Sequence, residues 1–212
     1  GEDGTFAFGR GRWAKPRAAR HLTLPDGRVV TRVLQVRRRQ FRVQRIDGLP
    51  PAMVTPPDEL RARILAEQSR LAALWGVDTP EPHFKSGFTW PTRGIVTGVY
   101  SSQRILNGEP HWGLDIAAPE GTPVHAPADG VVLAAERDFY YTGGTILLDH
   151  GFGIVSGFLH LSELSVAEGQ LVRQREIIGR VGSTGRSTGP HLDWRGRWLD
   201  VFVDPRLLLP KP

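Results

Sequence analysis

From residue 88 onward, short β-branched runs alternate with turn residues about every 8–12 positions, and this rhythm constrains the fold more than any other feature. ADGVVLAAE, GTILLDHG, GIVSGFLHL and REIIGRVG are each bounded by Gly, Asp or Pro. The rhythm fits an antiparallel sheet or barrel-like sandwich rather than alternating βαβ units. The 25 Gly and 17 Pro of the 212 residues supply the turns and lean toward short strands over long helices. A mainly β fold is predicted.

The region ahead of it reads differently. Residues 1–48 form a basic β-rich module, with two β-type runs around the turn signal Pro25-Asp26-Gly27. Phe41, Val43 and Ile46 give rough alternation and suggest an exposed strand with a basic face. So small a piece should lean on another element or belong to a larger domain. Residues 49–87 are a Pro-rich linker carrying one helix, about 57–75, capped by Thr55 or Asp58. Its apolar positions 60, 64, 65, 71, 74 and 75 suit packing along a neighbouring sheet. Residues 88–212 are the third unit.

Charge follows the same division. The chain has 27 Lys/Arg against 22 Asp/Glu, but residues 1–75 carry a net +8 and residues 76–212 a net −3. A docking surface is therefore expected in the first part and chemistry in the second. Ordinary apolar and charged fractions, 40% and 23%, exclude wholesale disorder. No run approaches the roughly 18 apolar residues of a membrane-spanning helix. The chain opens on GEDGTF with no charged-then-apolar leader, so a targeting segment is expected to be absent or already removed. The absence of cysteine removes disulfides, thiolate zinc sites, iron–sulfur clusters and cysteine nucleophiles together.

What remains for chemistry is histidine and carboxylate. His111 and Asp115 frame HWGLD, His160 closes GFLHLS, and His191 and Asp193 frame PHLDW. Residues two apart on a strand share a face, so His191 and Asp193 should project together while Leu192 points into the core. Each pair alone is weak. Together they supply what a zinc hydrolase needs: about three ligands, an open position for water, and a group to manage protons or an oxyanion. The chain has no HExxH glutamate base, no phosphate loop and no serine nucleophile elbow.

These blocks resemble the lysostaphin/LytM-type zinc endopeptidases, which cut peptide cross-links in bacterial cell walls. The resemblance covers roughly residues 88–210 through HWGLDIAAPEGTPVHAPADGVV, GGTILLDHGFGIVSGFLHLS, GQLVRQREIIGRVGSTGRSTGPHLDW and the closing VDP. Residues 49–57 and SSQRILNGEP are similar to a proteobacterial branch with a small β module ahead of the peptidase. The resemblance implies an antiparallel-sheet metallopeptidase domain preceded by a small β-rich piece and one helix. It implies His111 and Asp115 as the first two zinc ligands, and His160 and His191 as the catalytic histidines.

The family's last motif is HxH, whose second histidine is the third ligand; here that position is Asp193. Aspartate ligates zinc through oxygen at about 2.0–2.2 Å. One His and two Asp make the site formally neutral, which should activate water less and relax selectivity toward manganese or another divalent ion. Tyr140 and Tyr141 are candidates for the substrate groove. His150 reads as a hydrogen-bonded turn residue.

The sequence therefore predicts a periplasmic or cell-envelope zinc endopeptidase acting on peptidoglycan peptide stems, with an envelope protein as a further partner of the basic amino-terminal region. The alternative is a catalytically degenerate relative that binds cell wall or activates another hydrolase. The enzyme is preferred because four of five site positions match and Asp193 is still a competent ligand. Nucleic-acid binding through Arg37-Arg38-Arg39 lacks aromatic interleaving and any supporting motif, so none is expected.

Overall fold

A computed structural model describes residues 5, 7–24, 26–37, 39–41, 43–45, 49–105 and 110–210. Pro25, Arg38, Ile46 and residues 106–109, which entered the readings above, lie outside the described residues. The amino-terminal strands β1 (Arg17–Thr23) and β2 (Val29–Gln35) form an antiparallel hairpin. β3 (Val43–Arg45) pairs in parallel with β5 (Gln103–Ile105). Between β3 and β4 (Ile95–Gly98) come a one-turn helix α1 (Pro51–Val54) and the longer α2 (Arg61–Trp75). Neither Thr55 nor Asp58 caps α2; a 3-10 turn over Asp58–Leu60 feeds straight into it and supplies the first turn instead.

The remaining strands are β6 (Gly113–Ala117), β7 (Pro123–His125), β8 (Gly130–Phe139), β9 (Gly143–Asp149) and β10 (Ile154–Leu164). β11 (Leu171–Val172), β12 (Ile177–Val181), β13 (His191–Trp198) and β14 (Val201–Val203) complete the set. Among the described residues, ten strands make one antiparallel sheet with the central order β11-β8-β9-β10-β13-β6-β4; β12 pairs with β10 and β7, and β14 with β13. The mainly β, antiparallel expectation holds.

Alternation divides this sheet into two faces. Leu114 and Ile116 of β6, Ile146 and Leu148 of β9, Phe158 of β10, and Leu192 of β13 enter one apolar core, each almost fully buried. Their neighbours along the same strands point the other way. On that second face, Trp75 at the end of α2 packs against Ala134, Leu147 and Val155. Gly157 makes the approach feasible, because a Cβ there would collide with the Trp75 ring. The helix thus lies along the face that also carries His191 and Asp193.

Candidate metal centre

Two adjacent strands and the turn before them place the donors. β6 and β13 are antiparallel, with Asp115 opposite Asp193 and Ala117 opposite His191. Leu192 and Trp194, between the polar positions, are fully buried in the core, so the register of β13 is fixed and its polar face with it. His111 precedes β6 and is tied by backbone hydrogen bonds, its N–H to the Ser102 carbonyl and its carbonyl to the Ser101 N–H. His111 Nε2 consequently lies 3.0 Å from Asp115 Oδ1 and 3.5 Å from Asp193 Oδ1.

These three side chains offer ligand atoms within 4.8 Å of one another, and all three residues are buried. His111 Nε2 and Asp193 Oδ1 are buried and, close as they lie to the other carboxylate and ring, have no well-directed hydrogen bond among the described residues. Leaving such atoms unsatisfied costs about 1–3 kcal/mol each, more where one is charged. A divalent cation removes that cost, and the imidazole-plus-carboxylate donor set suits zinc. The space is cut to fit. A Cβ at Gly98 would collide with the Asp115 carboxylate, and one at Gly113 with Asp193 Oδ1.

The charges are mutually adjusted. Burial works against ionising Asp193, but Arg195 and then His111 hold its carboxyl well below the usual carboxylate range. Burial pushes His111 toward neutrality, yet Asp193 and Asp115 outweigh it and raise its pKa. Asp193 Oδ2 accepts two hydrogen bonds from Arg195, at 2.7 Å from Nη2 and 3.0 Å from Nε. Oδ1 is thereby left toward His111.

Two more histidines flank the donors, their rings 4.8 Å apart. The Gly182–Pro190 loop orients both. His160 Nδ1–H donates to the Thr184 carbonyl at 2.8 Å, and His191 Nδ1–H to the Gly189 carbonyl at 2.8 Å. Carbonyls only accept, so in each neutral ring the lone pair is on Nε2. His191 Nε2 lies 3.8 Å from Asp115 Oδ1. Burial, followed by the His191 and Arg195 charges and against Asp193, lowers the His160 pKa to about 4, so its ring is neutral at pH 7.

His160 reaches this position through an irregular backbone. Leu159 pairs with Asp193, so strict alternation would send His160 to the opposite face. The register of β10 shifts between Phe158 and Leu161, and His160 takes a left-handed φ of 67°. That bulge re-aims the ring beside His191 at a local cost of order 1–3 kcal/mol.

The chain's resemblance to known proteins runs through these residues. The sequence signature of Peptidase family M23 matches residues 109–205. A solved structure assigned to peptidase M23 from Pseudomonas aeruginosa superimposes with a TM-score of 0.72 at 30% identity, over 93% of this chain and 74% of that one. The chain belongs to peptidase family M23. Among its M23 relatives, the DD-carboxypeptidase/endopeptidase Mpg of Neisseria meningitidis serogroup B is 48% identical over 103 residues, covering 48% of this chain and 24% of that protein. The peptidoglycan DD-endopeptidase ShyA of Vibrio cholerae is 45% identical over 97 residues, 44% of this chain and 22% of that one. The chain spans about a quarter of the length of these curated relatives.

Of the M23 candidates read from the sequence, His111, Asp115, Asp193, His160 and His191 come together in one place. Tyr141 lines the groove beside them, with Thr142 and Arg186. Tyr140 turns away: its hydroxyl donates to the Ala52 carbonyl at 2.6 Å and its N–H to Glu67 at 2.7 Å, which ties the sheet to the helices. His150 is fully buried, donating from Nδ1 to the Asp129 carbonyl and accepting at Nε2 from Ser156. Sequence reasoning missed Arg195, although the two-residue alternation that joins His191 to Asp193 extends to it. It also missed the helix wall of the groove, where Glu67, Gln68 and Leu71 line the same groove as His160.

Proposed function

We propose that this chain is the catalytic part of a metal-dependent endopeptidase that cuts peptide cross-links of bacterial peptidoglycan. One observation carries the reading: three buried donors of zinc-binding type converge within 4.8 Å, beside two histidines held with Nε2 as the basic nitrogen. The substrate class follows the relatives, one of which is named a peptidoglycan DD-endopeptidase. Peptide stems are the partner in the groove, and the periplasm or cell envelope is the place of action.

His111, Asp115 and Asp193 would hold a divalent ion, zinc in preference to manganese or another divalent ion, which would supply Lewis-acid polarisation of the scissile carbonyl and activation of water. His160 and His191 do the proton work. With lone pairs on Nε2 and rings 4.8 Å apart, they orient the attacking water and take its proton; a ring so protonated then returns that proton to the leaving amine or donates to the tetrahedral oxyanion. Tyr141 and Thr142 supply groove wall against the stem peptide. The exposed Arg17, Arg28, Arg32 and Arg37 of the amino-terminal region offer a basic surface for an anionic wall polymer or an envelope protein.

The test is digestion of purified peptidoglycan followed by chromatography of the released stem peptides. Cross-linked dimers should decline and monomers rise with zinc-loaded protein, and a chelator should stop the change. Intact cross-links after treatment with protein carrying one equivalent of ion would remove the endopeptidase reading.

A further inference from the structure

Asp193 is a charged carboxylate whose own surroundings hold a second, opposite charge. Its side chain is 2% exposed and that of Arg195 23%, and the two meet through a forked pair of hydrogen bonds at 2.7 and 3.0 Å on a single oxygen, Oδ2. The other oxygen, Oδ1, faces His111 Nε2 and has no well-directed hydrogen bond among the described residues. The two oxygens are therefore assigned separate tasks, one toward the guanidinium and one toward the donor cluster.

The sheet makes room for this arrangement. On β13, Arg195 has Gly157 of β10 on one side and Gly113 of β6 on the other. Neither neighbour has a side chain: the Trp75 ring fills the space over Gly157, and the arginine stem lies over Gly113. A Cβ at Gly113 would come within 2.9 Å of Arg195 Cγ as well as striking Asp193 Oδ1. Two residues that must both fit share one clearing. Charge follows from the same contact. A dication between one imidazole and two carboxylates is formally neutral, and Arg195 restores a net +1.

We propose that Arg195 is a positioning residue that fixes Asp193 as a one-oxygen metal ligand and offsets its charge, so that Asp193 and Arg195 together act as a single neutral ligand. The inference rests on the metal centre proposed above. The neutral-site expectation drawn from the sequence counted ligands alone and is corrected by this pair. Two consequences follow. Without Arg195, no hydrogen bond among the described residues would hold Oδ2, and Asp193 would be free to offer both oxygens to the ion. With a histidine in place of Asp193, Arg195 is left as an uncompensated cation beside a dication.

The experiment is a four-member set: wild type, Asp193→His, Arg195→Gln, and the double variant, each titrated with zinc by chelator competition. Asp193→His alone should weaken zinc binding at least about tenfold, the usual scale for disturbing a ligand's supporting partner. Adding Arg195→Gln should recover most of that loss. If Asp193→His changes affinity equally in both backgrounds, the pair does not act as a unit and the inference fails while the metal centre stands. If wild type binds no zinc, both readings fall.

Cobalt supplies a second readout that does not depend on Asp193→His folding. Cobalt-loaded wild type should give the intense visible absorption of a low-coordinate ion. Arg195→Gln should weaken that absorption as Asp193 adds a second oxygen. An unchanged spectrum in Arg195→Gln would overturn the positioning role.

Discussion

Asp115 on β6 and Asp193 on β13 stand directly opposite each other across an antiparallel pair, and both are buried. Like charges in that relation destabilise a sheet, so the strand pair is built around something positive. His111 and Arg195 supply part of it, and the proposed cation would supply the rest. The ligand geometry and the stability of the central strands are thus one problem.

Metal should therefore report on folding as well as activity. At a hundredfold excess of zinc over its Kd, binding adds about 2.7 kcal/mol, or roughly 5–10 °C in Tm for a chain of this size. Calorimetry with and without chelator measures the shift, and Asp115→Asn should abolish it. A wild-type melting point indifferent to chelator and zinc would contradict the site.

The glycines beside the carboxylates should be intolerant of the smallest enlargement. Gly98→Ala and Gly113→Ala each push a methyl group into a ligand carboxylate, whereas a Cβ at Gly189 meets nothing within 4 Å. Metal content after dialysis should fall well below one equivalent in the first two and remain near one in Gly189→Ala. Full occupancy in Gly113→Ala would show that Asp193 does not need the position it holds.

Proton management and metal binding should separate by mutation. His160→Ala removes a ring outside the three-donor cluster and should retain the ion, while kcat falls by about 10²–10⁴. Parallel assays of zinc content and cross-link cleavage decide this. Loss of the metal in His160→Ala would make that residue a ligand rather than a base.

Acid should unfold the protein partly through His150, which bonds Asp129 and Ser156 and none of the proposed site residues. Burial, outweighing its bond to Asp129, lowers its pKa from 6.5 to about 4. The unfolded state therefore binds a proton that the folded state refuses. The neutral ring's contribution is complete above pH 6.5 and is lost as pH falls from there toward 4, about 3 kcal/mol in all. Urea midpoints at pH 7.5 and pH 4.5 should converge in His150→Gln relative to wild type. Equal pH slopes in the two proteins would assign the acid sensitivity elsewhere.

Anchoring of α2 should depend on one ring. Trp75→Ala removes the residue that fills the space over Gly157 and should cost about 3–5 kcal/mol. Gly157→Ala should produce a similar loss from the other side of the contact, and denaturant titration measures both. A loss under 1 kcal/mol in both would mean that the helix packs independently of this contact.

Much of the architecture was legible because it follows from local rules. The β-branched runs between turn residues mark β8, β9, β10 and β12 within a few residues, and the two-residue period places Leu192 inward and His191 with Asp193 outward. His160 is the opposite case. Its family motif locates it, but strict alternation along β10 would point it to the wrong face, and only the bulge brings it to His191. Arg195 obeys the period, yet its meaning depends on which oxygen of Asp193 it takes, a matter of contact rather than pattern. The glycines at 98, 113 and 157 look like turn or strand-weakening residues until the carboxylates and the indole that occupy their space are seen.

The seat of Trp75 over Gly157 also decides where this chain can be cut. A shortened chain beginning at residue 88 would keep β6 and β13 but strip the cover from Ala134, Leu147 and Val155. Those side chains would then form a sticky apolar patch beside the catalytic groove, inviting aggregation instead of substrate. A fragment meant to keep this face covered should therefore begin ahead of Arg61, so that α2 and Trp75 are retained.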